Sequence, residues 1–450
     1  MFQSYKARPP AAKIPERLAK LRRELTKARI DAYLVPRGDE HRGEYVPTSA
    51  ERLAWLTGFT GSAGLAIVTK KNAALFVDGR YTVQARAQVP AGHIEVFESP
   101  IKTIEAWIAE WFKDTSLTIG FDPWLHSVDE IDRLKRKLSP FGVRLKSHSR
   151  NLVDRVWSDR PTEPLGPVVV QPLAKSGESS RDKVARLQRA LVDAHEDATI
   201  LTAPESICWL LNIRGSDVAH NPIVLSYAIL PARGKVELFI ETEKLNSEVR
   251  SHLAPVAKIY AATIPESAVR RTPLRTSKSF ADRLQALKQA QKTVRIDTST
   301  CPVAIARRLG PSHYLASGPD PCALPRATKN ATELRGARAA HKRDAVAVCR
   351  FLAWLDRQSP TGEVDEITAA RQLEQFRRDT NQLREISFDT ISGSGPNGAI
   401  VHYRVTTNTN RVLNPGELYL VDSGAQYQDG TTDITRTVAV GTPTEEMCDR

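Results

Sequence analysis

Residues 418–438 read LYLVDSGAQYQDGTTDITRTV, and this pattern determines how the last part of the chain folds. Two strand-like runs flank a segment of turn-forming residues at 426–430, an arrangement typical of a β-hairpin. Each run contains an aspartate, Asp422 in the first and Asp433 in the second. Aspartate is depleted from strands because its carboxylate loses hydration there, so both side chains need a compensating partner.

The spacing of the two aspartates predicts that their carboxylates meet. If the runs pair as a hairpin, Asp422 and Asp433 lie nearly opposite each other, with Cβ atoms about 5 Å apart. At about 4 Å, two carboxylates repel by on the order of 4 kcal/mol at an effective dielectric of 20. Two divalent cations would remove that cost. The spacing also allows Asp422 to cap the strand end and Asp433 to pair with Arg436, so these interpretations stay open at this point.

A glycine-rich segment precedes the hairpin. Residues 388–395 and 396–403 contain several glycines, which allow close backbone approach or a positive φ. This composition predicts a strand that bends beside a cavity. His402 lies at the far end of the segment, where it is a candidate catalytic residue. An ordinary half-buried, hydrogen-bonded histidine is the alternative.

Two helices are predicted before this segment. The first begins near Thr332 and places apolar residues such as Val348 and Leu355 on one face. The residues 360–362, Pro-Thr-Gly, end it. A second amphipathic helix begins near Val364.

The earlier part of the chain contains one order of elements twice. A helix is followed by a strand at 31–36 and by a helix that carries Trp55. Later, a helix is followed by a strand at 197–201 and by a helix that carries Trp209. Self-similarity of this kind indicates two copies of one α/β domain. Chance similarity between two helix-strand-helix units is the alternative.

Further strands extend the repeat. Residues 65–69 and 73–78 are predicted to form a hairpin with a turn at 70–72. In the second copy, the strand at 236–240 corresponds to residues 74–78 of the first.

Clusters of prolines mark the boundaries between the predicted domains. One cluster lies at 161–172 and the other at 319–325. The sequence therefore predicts an amino-terminal domain at 1–160, a second copy at 161–327 and a third domain at 328–450.

The composition argues against a nucleic-acid partner. The chain of 450 residues has 64 basic and 52 acidic residues, a formal net charge of +12. The basic residues are scattered with acidic residues between them, whereas a nucleic-acid interface concentrates them on one face. A solvated surface explains this charge.

Neither a membrane nor an oxidising compartment is predicted. We find no apolar stretch of the roughly 20 residues needed to cross a bilayer, and no signal-peptide core at the start. The five cysteines contain no Cys-x-x-Cys pair, and their odd number leaves one unpaired in any full bridging scheme. Reduced thiols in a cytoplasmic protein are therefore expected.

The motifs of the third domain resemble one family. They are Glu333-Leu334-Arg335-Gly336, residues 340–346, Ile391-Ser392-Gly393, Asn397-Gly398-Ala399, His402-Tyr403, residues 421–427 and residues 429–437. Together they resemble the catalytic domain of three-domain Xaa-Pro aminopeptidases, members of the creatinase-like, pita-bread metallopeptidases. The resemblance extends to residues 58–64, Asp78-Gly79-Arg80-Tyr81 and residues 212–222, and so covers the whole chain.

The resemblance implies a fold, an activity and a set of functional residues. The fold would be two tandem creatinase-like α/β domains followed by the first part of a pita-bread domain. The activity would be removal of the first residue from peptides with proline in second position. Two divalent ions, commonly manganese in this family, would hold a bridging hydroxide as nucleophile. Asp422 and Asp433 would be metal ligands, His402 would hold the substrate near the metals, and the enzyme would be a homodimer.

The resemblance also implies that the metal site is incomplete within these 450 residues. The family uses five ligand side chains, and the last three are a histidine and two glutamates beyond the second aspartate. After residue 330 the only histidines are His341 and His402, and 17 residues follow Asp433. We therefore expect a chain cut through its catalytic domain. The alternative is a non-catalytic pita-bread module that binds peptide or protein without metals.

A polypeptide limited to residues 1–450 is predicted to be inactive and to aggregate. It would lack the remaining ligands, and a partial pita-bread domain leaves strand edges and an apolar face uncovered. The measurement is manganese-dependent cleavage of Arg-Pro-Pro by this polypeptide, with its aggregation followed by light scattering. Efficient turnover would contradict the prediction.

Overall fold

A computed structural model describes residues 1–6, 11–111, 117–261, 278–310 and 312–450. These residues form two compact units. The larger unit contains the described residues of 11–79 and 85–328. The smaller unit combines residues 329–450 with residues 1–6 and 80–84.

The larger unit contains two six-stranded sheets. The strands of the first are β1 (Ala32–Pro36), β2 (Leu65–Thr69), β3 (Ala73–Val77), β4 (Glu95–Glu98), β5 (Thr118–Phe121) and β6 (Arg144–Ser147). The helices along this part of the chain are α1 (Ile14–Ala28), α2 (Arg52–Thr57), α3 (Thr82–Gln88), α4 (Ile104–Trp111), α5 (Val128–Leu138) and α6 (Leu152–Val156). The strand order is β4-β3-β2-β1-β5-β6, and the predicted hairpin is confirmed by the antiparallel pairing of β2 with β3.

The residues of α1 and β1 explain how this sheet is covered. Ile14, Leu18, Leu21 and Leu25 repeat at helical spacing, and all four are buried. All five residues of β1 are buried, as expected for a strand in the middle of a sheet. The apolar face of α1 and this strand therefore contribute to the core.

The second sheet is built from the next part of the chain. The strands here are β7 (Val169–Val170), β8 (Ala198–Leu201), β9 (Ile213–Arg214), β10 (Tyr227–Pro231), β11 (Val236–Ile240), β12 (Ala257–Ala261), β13 (Val294–Ile296) and β14 (Leu315–Ser317). The helices are α7 (Leu173–Ser176), α8 (Ser180–Asp193), α9 (Pro204–Leu211), α10 (Ser247–Leu253), α11 (Lys278–Gln289), α12 (Val303–Leu309) and α13 (Ala323–Ala327). The sheet order is β12-β11-β10-β8-β13-β14, and β7 pairs with β9 separately.

The two sheets share one topology, which confirms the predicted repeat. In strand order, β1 and β8 both occupy the fourth place, and β3 and β11 both occupy the second. The predicted correspondence between residues 74–78 and 236–240 is therefore correct. Trp55 lies in α2 and Trp209 in α9, the helices that follow β1 and β8.

The smaller unit contains helices and short sheets. Its elements are α14 (Ala331–Gln358), α15 (Glu366–Arg378), β15 (Glu385–Ile386), β16 (Ile391–Ser394), β17 (Leu418–Ser423), β18 (Ala425–Gln426), β19 (Ile434–Ala439) and α16 (Glu445–Asp449). Strands β16, β17 and β19 form a sheet with β17 in the centre, and β15 pairs with β18. A capping box of Asn330 and Glu333 fixes the start of α14.

The hairpin exists, but its predicted register is wrong. Strand β17 pairs antiparallel with β19, and Asp422 lies opposite Thr435, two residues beyond Asp433. The cause is a tight turn, because the backbone N–H of Tyr427 donates to the carbonyl oxygen of Gly430 over 2.9 Å. A two-residue loop fixes the register of the strands on both sides of it. Asp433 is therefore a diagonal neighbour of Asp422 and precedes β19 instead of lying inside a strand.

The amino-terminal residues belong to the smaller unit. The backbone N–H of Phe2 donates to Glu374 Oε1 over 3.0 Å. The side chain of Gln3 bonds both backbone groups of Thr390, donating over 3.2 Å and accepting over 2.9 Å. The carbonyl oxygen of Tyr5 accepts the Thr407 N–H over 2.9 Å. Residues 2–5 are thus integral to this unit.

The cysteines do not form disulfides. Cys208, Cys301 and Cys322 are buried, whereas Cys349 and Cys448 are exposed, and all five are free thiols. Burial raises the pKa of the Cys208 thiol to about 11, which keeps it protonated and unreactive. None of the helices in the described ranges is both long enough and apolar enough to cross a membrane.

A buried ion pair stabilises the second domain. Lys244 Nζ lies 2.7 Å from Asp217 Oδ2, and the two side chains are only 3% and 0% exposed. The carboxylate also accepts the backbone N–H groups of Leu225 over 2.7 Å and Gly166 over 2.9 Å. The backbone at Gly166 and the backbone at Leu225 therefore both depend on this carboxylate.

We predict that Lys244→Met lowers the free energy of unfolding by about 3–5 kcal/mol, because it leaves the Asp217 carboxylate buried without its cation. Urea denaturation measures the change. Lys292→Met is the matched control, since its partner Asp197 is 39% exposed, and its cost should be below about 1 kcal/mol. Equal effects of the two substitutions would contradict the prediction.

Candidate active site

Asp422 is presented by the central strand of a three-stranded sheet. It lies between Ile391 of β16 and Thr435 of β19. Buried and half-buried residues alternate along β17, and Asp422 lies on the half-buried side with Leu418 and Leu420. The strand therefore holds this carboxylate in one position and removes part of its hydration.

The Asp422 carboxylate is only partly satisfied. Its Oδ1 is buried and has no hydrogen-bond partner among the described residues. Burial raises the pKa of Asp422, and the negative charge of Asp433 raises it further, while the Thr435 hydroxyl and His402 lower it. A buried carboxylate oxygen without a donor is unfavourable, and a cation at this position would compensate it.

Asp433 lies beside Asp422, just before the first residue of β19. The residue is exposed and immediately precedes Ile434, where β19 begins. The negative charge of Asp433 is among the causes that raise the pKa of Asp422, so the two carboxylates lie close enough to interact. The structure therefore brings together the two predicted ligands, as diagonal neighbours instead of directly opposed residues. Among the described residues, no ion pair joins Asp433 to Arg436.

The carboxylate pair fits a hard divalent cation as part of a larger ligand set. Carboxylate oxygens are the ligands that such cations prefer, and Asp422 Oδ1 is available for one. Within the described ranges, no group of three or more His, Cys, Asp or Glu side chains is arranged to hold a metal ion. Asp422 and Asp433 alone are thus a partial site.

Gly424 allows the hairpin to close beside these carboxylates. A Cβ atom at this position would lie 2.0 Å from both Ser387 Oγ and the Thr432 carbonyl oxygen. Since real Cβ atoms do not approach other atoms so closely, any other residue would push β17 and β19 apart. The glycine after Asp422 is therefore required by packing.

His402 lies in a turn after the glycine-rich segment. Strand β16 ends at Ser394, and Gly395 has a φ of 53°, where the chain turns into a 3-10 helix at Gly395–Ala399. The predicted bend is thus a helical turn. His402 is half-buried, and its Nδ1 lies 2.7 Å from the hydroxyl oxygen of Tyr81.

Glu366 connects the two ends of this turn. Its carboxylate accepts the Ser394 N–H over 2.7 Å, the Asn397 amide over 2.9 Å and the Tyr403 hydroxyl over 3.0 Å. The side chain is fully buried, and burial raises the pKa of Glu366. Since Tyr403 follows His402 directly, this network fixes the backbone that carries the histidine.

Arg377 fixes the backbone that follows Asp422, as Glu366 fixes the backbone around His402. It donates to Asp344 Oδ1 over 2.8 Å and to Oδ2 over 3.0 Å. It also donates to Ser423 Oγ over 3.1 Å and to the Gly424 carbonyl oxygen over 3.3 Å. Helices α14 and α15 are thereby fastened to the residues that follow Asp422.

Sequence reasoning proposed Asp422, Asp433 and His402 as site residues, but it did not single out Glu366 and Arg377, which bond the segments that carry them. Glu366 resembles an ordinary acidic residue in the first turn of a helix, and Arg377 a charged residue near its end. The motif Asn397-Gly398-Ala399 could have pointed to Glu366. It predicts a tight turn, and the N–H groups of such a turn need a buried acceptor, which Glu366 supplies.

Family models match most of the chain from residue 17 onward, in three parts. A model described as the Creatinase/Prolidase N-terminal domain matches residues 17–156, and a second model with the same description matches residues 159–333. A model described as Metallopeptidase family M24 matches residues 335–450. The fold is therefore two creatinase N-terminal domains followed by an M24 domain.

Relatives with assigned names cover nearly all of this chain. Aminopeptidase P1 of Lotus japonicus is 36% identical, over 93% of this chain and 71% of the relative. A probable Xaa-Pro aminopeptidase P of Laccaria bicolor is 36% identical, over 96% and 65%. Xaa-Pro aminopeptidase 2 of Rattus norvegicus is 37% identical, over 95% and 62%. The chain thus spans about two thirds of the length of the curated relatives it matches.

A solved structure has the same fold. The X-prolyl aminopeptidase of Caenorhabditis elegans, described as a cytosolic enzyme with a di-nuclear active site, superimposes with a TM-score of 0.88. The two sequences are 32% identical, and the match covers 96% of this chain and 71% of the other.

We predict that Arg377→Met destabilises the smaller unit by about 3–5 kcal/mol, because the Asp344 carboxylate would stay buried without its cation. The change would be measured as the urea midpoint of the complete protein. The signal is the difference in fluorescence between the protein that contains Trp354 and the same protein with Trp354→Phe. Arg350→Met on α14 is the control, since its side chain is 52% exposed and its ion-pair distance is 3.5 Å. A cost for Arg377→Met no larger than the control's would show that the buried pair is dispensable.

Proposed function

Since the chain belongs to the family of Xaa-Pro aminopeptidases, we propose that it removes the amino-terminal residue from peptides with proline in second position. The activity is that of a metallo-exopeptidase that uses a water-derived nucleophile. One observation carries the proposal, namely the pair of carboxylates at Asp422 and Asp433 with Asp422 Oδ1 buried and unsatisfied among the described residues.

Asp422 and Asp433 would bind two divalent cations, for which we propose manganese. When bound, such a pair of cations would lower the pKa of water and polarise the scissile carbonyl. The role of the chain is to hold the two carboxylates close together despite their repulsion. Strand β17 and the Arg377 network support that role, and the family resemblance implies that further ligands complete the set.

His402 would bind the substrate near these carboxylates. An imidazole N–H can donate to the carbonyl oxygen of the scissile bond and to the negative charge that develops on it. Its influence on the pKa of Asp422 supports a position beside the proposed cations. Glu366 would contribute indirectly, by fixing the turn in which His402 lies.

Three further properties belong to the proposal. We propose domains at 1–160, 161–327 and 328–450. Residues 1–6 belong to the same compact unit as the third of these domains. A cytoplasmic location is consistent with five unpaired cysteines and with the cytosolic worm relative. A homodimer rests on the family resemblance.

Asp422→Asn in the complete natural protein is predicted to reduce cleavage of Arg-Pro-Pro in manganese by about 100-fold or more, since losing even a second-shell partner costs about 10–100-fold. Without metal, the variant should unfold at the same or a higher temperature, because the amide removes the repulsion from Asp433. Manganese should raise its melting temperature less than that of the unmodified protein.

Asp379→Asn is the matched control. Asp379 is an exposed ion-pair partner of Arg350 and should leave both cleavage and the manganese shift unchanged. Manganese-independent peptide binding, with no cleavage by the unmodified protein, would favour the non-catalytic module. Full activity of Asp422→Asn would refute the proposed metal site.

A further inference from the structure

Tyr81 lies beside the candidate site without a role so far. It ends the motif Asp78-Gly79-Arg80-Tyr81 and forms part of the 3-10 turn Gly79–Tyr81. Residues 80–84 belong to the same compact unit as His402. The side chain is 1% exposed, so its hydroxyl group contacts protein instead of bulk water.

The Tyr81 hydroxyl contacts His402 with good geometry. Its oxygen lies 2.7 Å from His402 Nδ1, an ordinary length for a strong hydrogen bond. The rings meet edge to face, with centroids 5.4 Å apart and planes at 75°. The hydroxyl bond and the ring packing together fix both the position and the rotation of the imidazole.

This contact can also select the tautomer of the imidazole. A neutral imidazole carries its proton on one nitrogen, and the partner of the other nitrogen determines which. If Tyr81 donates to Nδ1, the proton stays on Nε2, which then becomes the donor to a ligand. If Tyr81 accepts, Nε2 is a bare acceptor and cannot bind a carbonyl oxygen.

We propose that Tyr81 is a positioning residue that donates its hydroxyl hydrogen to His402 Nδ1 and so keeps the Nε2–H directed at the substrate carbonyl. The inference rests on the proposed function, because the direction of the hydrogen bond between Tyr81 and His402 is assigned from the role proposed for His402. Tyr403 fixes the backbone of His402 through Glu366, and Tyr81 fixes the ring. The two contacts leave Nε2 as the reactive position.

A double-mutant cycle in the manganese-loaded complete protein tests the proposal. Tyr81→Phe keeps the ring and removes only the hydroxyl, so kcat for Arg-Pro-Pro should fall by about 10- to 100-fold with a smaller change in KM. In the His402→Gln background, the same substitution should have less than about a twofold effect, because residues that act through one another are not additive.

Tyr419→Phe is the matched control. Tyr419 is also fully buried, and its hydroxyl bonds Ser392 Oγ over 2.7 Å instead of His402. Its effect on kcat should be less than about twofold and should persist unchanged in the His402→Gln background. A multiplicative effect of Tyr81→Phe and His402→Gln would overturn the positioning role.

A second measurement is independent of turnover. In protein labelled with 15N-histidine, the resonances absent from His402→Gln identify this imidazole. An Nε2–H tautomer that becomes a mixture in Tyr81→Phe supports the proposal, whereas an Nδ1–H tautomer overturns it. Failure of the unmodified protein to cleave Arg-Pro-Pro, with the Nε2–H tautomer intact, would refute the proposed function and not the contact.

Discussion

The buried ion pair of Asp344 and Arg377 joins the elements on which the candidate site depends. Asp344 lies on α14 and Arg377 on α15, and the guanidinium also bonds the two residues after Asp422. The Tyr427 hydroxyl donates to the same Asp344 carboxylate over 2.9 Å, so the chain between Asp422 and the hairpin turn is fastened to the helices at two points. The network is fully enclosed, with Arg377 0% and Asp344 2% exposed. A rigid support of this kind can hold an unfavourable group in place.

The unfavourable group is the Asp422 carboxylate. A protein selected for stability alone would not place two carboxylates in contact while leaving one buried oxygen without a donor. Among the described residues, Asp422 Oδ1 is the only carboxylate oxygen that is buried without a partner, whereas the nearby carboxylates of Glu366 and Asp344 accept several hydrogen bonds. This difference favours a ligand at Asp422, because strain is retained where binding a ligand relieves it.

The sequence predicted the architecture well because the relevant signals are local. Alternation and a repeated order of elements were sufficient for the repeated α/β domain and for the strands at 65–69 and 236–240, whose bounds are confirmed. The two aspartates were found because they break a rule of strand composition. The register failed because a two-residue turn, which depends on backbone geometry around Gln428 and Asp429, moved Asp422 two positions from its expected partner. Tyr81 was missed as a partner of His402 because 321 residues separate them in sequence.

The attachment of residues 2–5 has a consequence for synthesis of the protein. Phe2 binds Glu374, 372 residues further along the chain, so residues 2–5 leave the ribosome long before this partner does. At about 5–20 residues per second, roughly 20 to 75 s pass before that partner is made. During this time Tyr5, which is buried in the finished protein, has no apolar surroundings of its own. The two creatinase domains can fold meanwhile, so the M24 domain is completed by a segment that stays without its native contacts until residue 374 has been made.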